Sequence, residues 1–177
     1  MPRSGAGVTI AGGSILVKEI IASGFTLVTG VPDSPLANLL HALELERPDR
    51  PGFYRPGARE DACLALAAGA ALGGGSPLVL MKSAGFGNCV DVLTSLVQVY
   101  GLPVVLLVSW AGHAGRDVPH HNVIGEPLAE LAGALGIPVR QALLSDPFAL
   151  GSALRGAATD ARQLPGAAAV LGIPEGL

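Results

Sequence analysis

The chain alternates short apolar runs with stretches of helical periodicity. Ser14 is placed to cap a helix over 15–23, which Gly24 stops. Phe25-Thr26-Leu27-Val28-Thr29 reads as a strand ending at Gly30, and Val31-Pro32-Asp33-Ser34 as a turn. Leu36, Leu39, Leu40 and Leu43 then recur at helical spacing, with Asp33 or Ser34 as cap and Pro35 in the first turn. Arg47-Pro48-Asp49-Arg50-Pro51-Gly52 reads as a loop and Phe53-Tyr54-Arg55 as a short second strand. An Ala-rich helix over 60–72 follows, ended by Gly73-Gly74-Gly75. Leu78-Val79-Leu80-Met81 is a third strand. Ser83-Ala84-Gly85-Phe86-Gly87-Asn88 is expected to be a glycine-rich turn, with Asn88 capping a helix to about Tyr100. The continuous apolar run over 103–109 suits a strand buried on both faces.

The polar stretch over 112–122 is expected to be the longest loop. A helix over 127–135, a strand over 138–142, a helix over 147–161 and a strand over 167–171 complete the pattern. Six strands alternating with helices predict one α/β domain over 1–177, three-layered, with a six-stranded, mostly parallel sheet flanked by helices. Ligands in such sheets bind beyond the carboxyl ends of the strands, so 30–34, 56–60, 83–88 and 110–122 are the segments of interest.

Composition narrows the choice of partner. Half of the 177 residues are hydrophobic and 14% are charged. The mean hydropathy is +0.52, yet no apolar run approaches the roughly 18 residues of a membrane helix. The excess apolar surface is expected in a large core or a buried subunit interface. With a net charge of −3, two lysines and singly scattered arginines, the chain lacks the basic footprint of a nucleic-acid or polybasic membrane binder. Cys63 and Cys89 are isolated and read as buried free thiols of a reducing compartment. No apolar segment of a signal peptide opens the sequence, so the cytoplasm is the expected location.

Several motifs fail on inspection. Gly7-Val8-Thr9-Ile10-Ala11-Gly12-Gly13-Ser14 has P-loop glycine spacing, but Gly13 stands where the lysine should be and no strand precedes it. Gly85-Phe86-Gly87 begins a dinucleotide fingerprint that Val90 leaves unfinished. A nucleophile elbow and clustered zinc ligands are absent from the sequence.

Four strand-end features remain, each with an ordinary reading. Glu60 in a first helical turn is favoured by the helix dipole alone. Gly30-Val31-Pro32-Asp33-Ser34 is a common turn and cap. Gly85 and Gly87 suit either a plain turn or close approach of a ligand to the backbone. His120 and His121 suit either a solvated loop or a functional one.

Together, Gly30-Val31-Pro32-Asp33-Ser34, then Arg59-Glu60 leading into Ala67-Ala68-Gly69, then Ser83-x-Gly85-x-Gly87-Asn88, resemble the pyrimidine-binding domain of thiamine diphosphate enzymes. The nearest likeness is to sulfopyruvate decarboxylase alpha subunits and the N-terminal halves of phosphonopyruvate decarboxylases. It spans about 14–177, and Ala169-Val170-Leu171-Gly172-Ile173-Pro174-Glu175-Gly176-Leu177 is similar to that domain's closing strand.

The resemblance implies a role for Glu60. The matching glutamate hydrogen-bonds the aminopyrimidine ring nitrogen and favours the tautomer that removes the thiazolium C2 proton. It implies cofactor contacts at Val31, Pro32, Glu60, Ser83, Gly85 and Asn88, and substrate contacts at Ser34 and Lys82. Asp33 and the pair His120 and His121 are similar to catalytic positions that handle the substrate carboxylate and return a proton after CO₂ departs. Histidine suits that work because its ordinary pKa lies near neutrality. Asp61 follows Glu60, but one residue turns a helical side chain about 100° away, so it is expected outside the pocket.

Three positions depart from the family pattern. Arg59 replaces a common asparagine, and Lys82 and Ala84 replace neutral polar residues. Lys82 is therefore a candidate for meeting an anionic substrate tail. The sequence also lacks the Gly-Asp-Gly that, with a downstream asparagine, holds the metal. The resemblance thus implies a beta subunit that carries Gly-Asp-Gly, binds the diphosphate and Mg2+, and joins this chain in a hetero-oligomer such as α2β2 or larger. The implied activity is decarboxylation of a small 2-oxo acid, sulfopyruvate or phosphonopyruvate, to an aldehyde. An acyloin-forming carboligase and a non-catalytic structural subunit are the competing readings.

Overall fold

The structure is a computed structural model that describes residues 10–45 and 51–175. The expected loop at 47–50, the first residues of the glycine stretch at 7–14 and the last two residues of the closing segment lie outside the described residues. The chain runs α1 (Ile10–Ala22), β1 (Leu27–Gly30), a 3-10 turn (Ser34–Leu36), α2 (Ala37–Leu45), β2 (Tyr54–Pro56), α3 (Glu60–Leu72) and β3 (Pro77–Lys82). It continues through α4 (Ser83–Asn88), α5 (Val90–Val92), a π-helical segment (Leu93–Val97), β4 (Val104–Ser109) and a second 3-10 turn (His113–Gly115). Then come α6 (Pro119–Gly125), α7 (Leu128–Ala134), β5 (Val139–Leu143), α8 (Pro147–Gln163) and β6 (Ala167–Ile173).

The six strands form one sheet in the order β2-β1-β3-β4-β6-β5, and every pairing is parallel. Parallel sheets need both faces covered, and the alternation of side chains shows how that is met. Leu78 and Leu80 of β3, Val105 and Leu107 of β4, and Ala168 and Val170 of β6 face a core closed by α1, α2 and α8. Their neighbours Val79 and Met81, Leu106 and Val108, and Ala169 and Leu171 face a second core with α3, the α4–α5 region and α7. The result is the expected three-layer α/β fold. Among the described residues no helix is long and apolar enough to cross a membrane.

The chain leaves β1 towards β2 on one side and reaches β3 on the other. The strand order therefore reverses at the carboxyl ends of β1 and β3, where such sheets open a crevice. Gly30 closes β1 at this point with φ +151°, and a Cβ there would lie 2.1 Å from the Leu80 carbonyl oxygen. Only glycine permits that approach of β1 to β3, and it aims Val31 to Ser34 over the crevice.

Three boundaries differ from the sequence expectation. Helix α1 starts at Ile10 instead of being capped by Ser14. Its extra turn seats Gly13 against the Asn38 main chain of α2, so tertiary packing outweighs the local cap. The segment Ser83–Asn88 is a short helix, not a turn. The stretch 112–122 is not a single loop, because it holds a 3-10 turn and most of α6.

Asp146 caps α8 as its position suggests: its Oδ1 accepts from the Phe148 and Ala149 amides at 3.1 and 2.9 Å. Replacing such a cap by alanine costs about 1 kcal/mol. Asp146→Ala is expected to lower Tm by about 2–4 °C, as read by thermal unfolding, with the far-ultraviolet dichroism spectrum unchanged.

Candidate active site

The crevice is a cleft of about 200 Å³ lined by Val31, Pro32, Asp33, Glu60, Lys82, Ala84 and Gly85. Residues from the ends of β1 and β3 and the start of α3 thus meet as their strand-end positions suggested. A wider groove of about 360 Å³ shares Pro32 and Asp33 and continues along Ser34, Ala37, Leu40, His41 and Glu44 of α2. Ser34 lines this groove, not the inner cleft.

Glu60 opens α3, where unpaired amides and the helix dipole favour a carboxylate. Its carboxyl lies on the bare Cα of Gly85: a Cβ there would fall 2.5 Å from Glu60 Cγ and 2.7 Å from both Cδ and Oε1. Asn88, at the end of the same short helix, donates from Nδ2 to Glu60 Oε2 at 3.1 Å. Asn88 therefore does not cap the following helix, where Cys89 takes the cap position. A side chain that prefers caps is drawn off by a long-range carboxylate.

Asp61 forms a bidentate pair with Arg59, Nε to Oδ1 at 3.0 Å and Nη2 to Oδ2 at 2.8 Å. Hydrogen bonding to that guanidinium holds the Asp61 carboxyl below its ordinary range. It does not line the cleft.

Asp33 likewise does not cap the turn it opens. Its buried carboxylate meets Lys82 Nζ at 3.3 Å through Oδ1 and accepts the Ser109 hydroxyl through Oδ2. Lys82 and Ser109 are register partners at the ends of β3 and β4, so adjacent strands deliver both donors to one acid. Ser109 was not anticipated. A single hydroxyl ending an apolar run carries no sequence signal beyond its strand-end position. Ser83 is buried, and its hydroxyl donates to the Ala111 carbonyl at 2.9 Å. It joins the start of α4 to the exit of β4 and is not part of the cleft lining.

His120 and His121 lie on α6, which packs on α4. Neither lines the cleft. Their rings stack edge to face with centroids 4.4 Å apart. His120 is exposed. His121 Nδ1 lies 3.0 Å from Asp117 Oδ2, close enough for an ion pair but without hydrogen-bond alignment. Asp117 also accepts from the Gly112 and Val118 amides at 3.1 and 2.7 Å. Asn122 donates to the Gly115 and Asp117 carbonyls and accepts the Asp117 amide. Trp110 Nε1 donates to the Gly125 carbonyl at 2.6 Å. These side-chain-to-backbone bonds order the segment. The Asp117 and Asn122 pattern was present in the sequence but not singled out.

No family model matches the chain. It is 35% identical over 121 residues to the phosphonopyruvate decarboxylase of Streptomyces hygroscopicus, covering 68% of this chain and 29% of that one. It is 31% identical over 121 residues to the sulfopyruvate decarboxylase subunit alpha of Methanococcus maripaludis, covering 68% of this chain and 71% of that subunit. The chain belongs to the family that holds the sulfopyruvate decarboxylase alpha subunits and the matching part of the phosphonopyruvate decarboxylases. It spans less than a third of the length of the phosphonopyruvate decarboxylase relatives. A 2-oxoglutarate:ferredoxin oxidoreductase from Magnetococcus marinus shares the family's fold, with a TM-score of 0.68 over 92% of this chain, 28% of that chain and 14% identity.

Burial pushes the Asp117 carboxyl up, but the Val118 amide, His121 and the Gly112 amide outweigh it and hold the group below its ordinary range. A depressed folded-state pKa stabilises the fold above the ordinary value, and that stabilisation disappears as pH falls through the lower one. Exchange protection of the Gly112 and Val118 amides, corrected for intrinsic rates, is expected to hold from neutrality to about pH 5 and to fall below about pH 4. In Asp117→Asn, protection of the Val118 amide is expected to be reduced already at pH 7. Flat protection in the parent chain down to pH 2 contradicts this account.

Proposed function

We propose that this chain is the pyrimidine-binding subunit of a thiamine diphosphate-dependent 2-oxo acid decarboxylase acting on sulfopyruvate or phosphonopyruvate. The observation that carries the reading is the Glu60 carboxyl seated on Gly85 and oriented by Asn88 at the switch-point crevice. The cleft suits the aminopyrimidine end of that cofactor: Val31, Pro32 and Ala84 offer apolar walls, and Gly85 leaves room for the Glu60 carboxyl at its edge. When bound, thiamine diphosphate supplies the carbon acid and electron sink for loss of CO₂.

Glu60 holds a proton at the ring nitrogen. Asn88 occupies Oε2 and leaves Oε1 for that task. Lys82, at the cleft wall beside Asp33, takes the anionic tail of the substrate, and Ser34 lines its approach along the outer groove. His120 or His121 returns a proton to the reacting carbon. His121 is the favoured one of the two, because it is the less exposed and its Nδ1 lies 3.0 Å from the Asp117 carboxylate.

Among the described residues no three His, Cys, Asp or Glu side chains cluster as metal ligands do. In the proposed assembly, a beta subunit carrying Gly-Asp-Gly holds the diphosphate and Mg2+. The relatives named as alpha subunits support that arrangement.

The test compares two kinds of variant in the complex with that subunit. Glu60→Gln is expected to slow exchange of the cofactor C2 proton by orders of magnitude while leaving assembly intact, because an amide cannot share a proton as a carboxyl does. Normal exchange in Glu60→Gln overturns the reading.

His120→Ala and His121→Ala are expected to leave that exchange near the parental rate. Turnover should fall by roughly 10²–10⁴ in the variant that lacks the proton donor. Full turnover in both removes the pair from the mechanism.

A further inference from the structure

The cleft's charge count bears on the tail it accepts. Three ionisable side chains line it: Lys82, Asp33 and Glu60. Lys82 is its single cation, and Arg59 next to Glu60 is committed to Asp61. Lys82 is itself paired. Asp33 is 7% exposed and meets Nζ through one oxygen while its other oxygen is occupied by Ser109. The Lys82 side chain is 30% exposed, so its ammonium both faces the cleft and is held by the acid behind it.

Lys82 and Ser109 end the neighbouring strands β3 and β4, and Asp33 reaches both from the turn that follows β1. The two donors are therefore fixed by the register of the sheet. An anion at Nζ gains one charge-assisted contact. A second negative charge on the same tail finds no second cation and lies near two carboxylates, where like charges repel across a short gap.

We propose that the Lys82–Asp33–Ser109 cluster selects a 2-oxo acid whose tail carries one negative charge, a sulfonate rather than a doubly ionised phosphonate. This rests on the reading of the cleft as a 2-oxo acid site and chooses between the two substrates that reading allows. Lys82 is the group that touches the tail. Asp33 sets the net charge at that spot, and Ser109 is a positioning residue that keeps the acid turned to Lys82.

The chain has two lysines, Lys18 and Lys82, which makes a direct measurement simple. Acylation of each by an amine-reactive ester is followed by mass spectrometry on the full chain at pH 9, with Lys18 as the internal standard. Methanesulfonate and methylphosphonate are the probes; the second is doubly ionised at that pH. Methanesulfonate is expected to slow acylation of Lys82 relative to Lys18 by about threefold or more, and methylphosphonate clearly less. In Asp33→Asn, which removes the opposing charge and keeps the shape, methylphosphonate is expected to protect as well as methanesulfonate. In Ser109→Ala the discrimination should weaken, and Ser109→Thr, which keeps the hydroxyl, should restore it. Equal or stronger protection by methylphosphonate in the parent chain, or no protection by either anion, overturns the proposal.

The assembled complex provides the second arm. Sulfopyruvate is expected to exceed phosphonopyruvate in kcat/KM by about tenfold or more at the same pH, with the ratio falling in Asp33→Asn. Equal use of both acids overturns the charge selection and leaves the decarboxylase reading standing. Turnover of neither acid removes the decarboxylase reading, and the lysine protection then decides the cluster's preference alone.

Discussion

The contact on which the site depends is the Glu60 carboxyl against the Cα of Gly85. It joins the first turn of α3 to the short helix α4 at a distance no larger side chain allows. The contact decides where the acid points, leaves one oxygen to Asn88, and draws α4 tight against the end of β3. It also explains why Ser83–Asn88 is helical despite two glycines. A short helix turns Gly85 towards Glu60 and Asn88 towards the same carboxylate, and each polar end then has a partner. Local propensity alone gives little reason for that helix, so its stability comes from tertiary contacts.

A second constraint acts from the sheet. In a parallel sheet the carboxyl ends of neighbouring strands lie side by side, so residues far apart in sequence are brought together by register alone. Lys82 and Ser109 are paired this way, and Gly30 brings the Asp33 turn over both. The Ser83-to-Ala111 bond extends the same logic one residue further and fixes the exit of β4 to the start of α4. Through that link the segment bearing Asp117 and His121 is built on the same rigid platform as the cleft. Its order then comes from side chains that satisfy backbone groups within the segment.

Much of this was readable from the chain because the physics involved is local or periodic. Unbroken apolar runs identified β3 and β4, and leucine spacing identified α2. The strand-end rule directed attention to Asp33, Glu60 and Gly85, and the family resemblance to Lys82; the cleft brings all four together. What was misread depends on partners distant in sequence. Asp33 and Asn88 are residue types that favour helix caps; Asn88 was expected to cap, and Asp33 was one of two candidates with Ser34. In the fold each serves a side chain across the crevice instead. Helix α6 was hidden because Pro119-His120-His121-Asn122 has weak helical propensity and polar neighbours. Its formation rests on Pro119 in the first turn and on packing against α4. Ser109 could not be singled out, since its importance lies wholly in the register between strands.

Two adjacent acids at the head of α3 show how the fold gives like groups unlike settings. Asp61 is turned about a quarter of the helix circumference from Glu60, and Arg59 holds it in a bidentate pair outside the cleft. Near Glu60 lies a thiol. Cys89 is buried, and burial together with the nearby Glu60 and Asp61 charges pushes its thiol up to about 12. It therefore stays neutral at any physiological pH and behaves as a small apolar residue. Cys63, also buried, lies in the same core. With the neighbouring Asp61 paired to Arg59 outside the cleft, Glu60 is the single carboxylate lining the α3 side of the crevice. The opposite wall holds Asp33, whose charge is met by Lys82. The two walls are thus electrostatically distinct, one an open acid and the other an ion pair, before any ligand or partner is added.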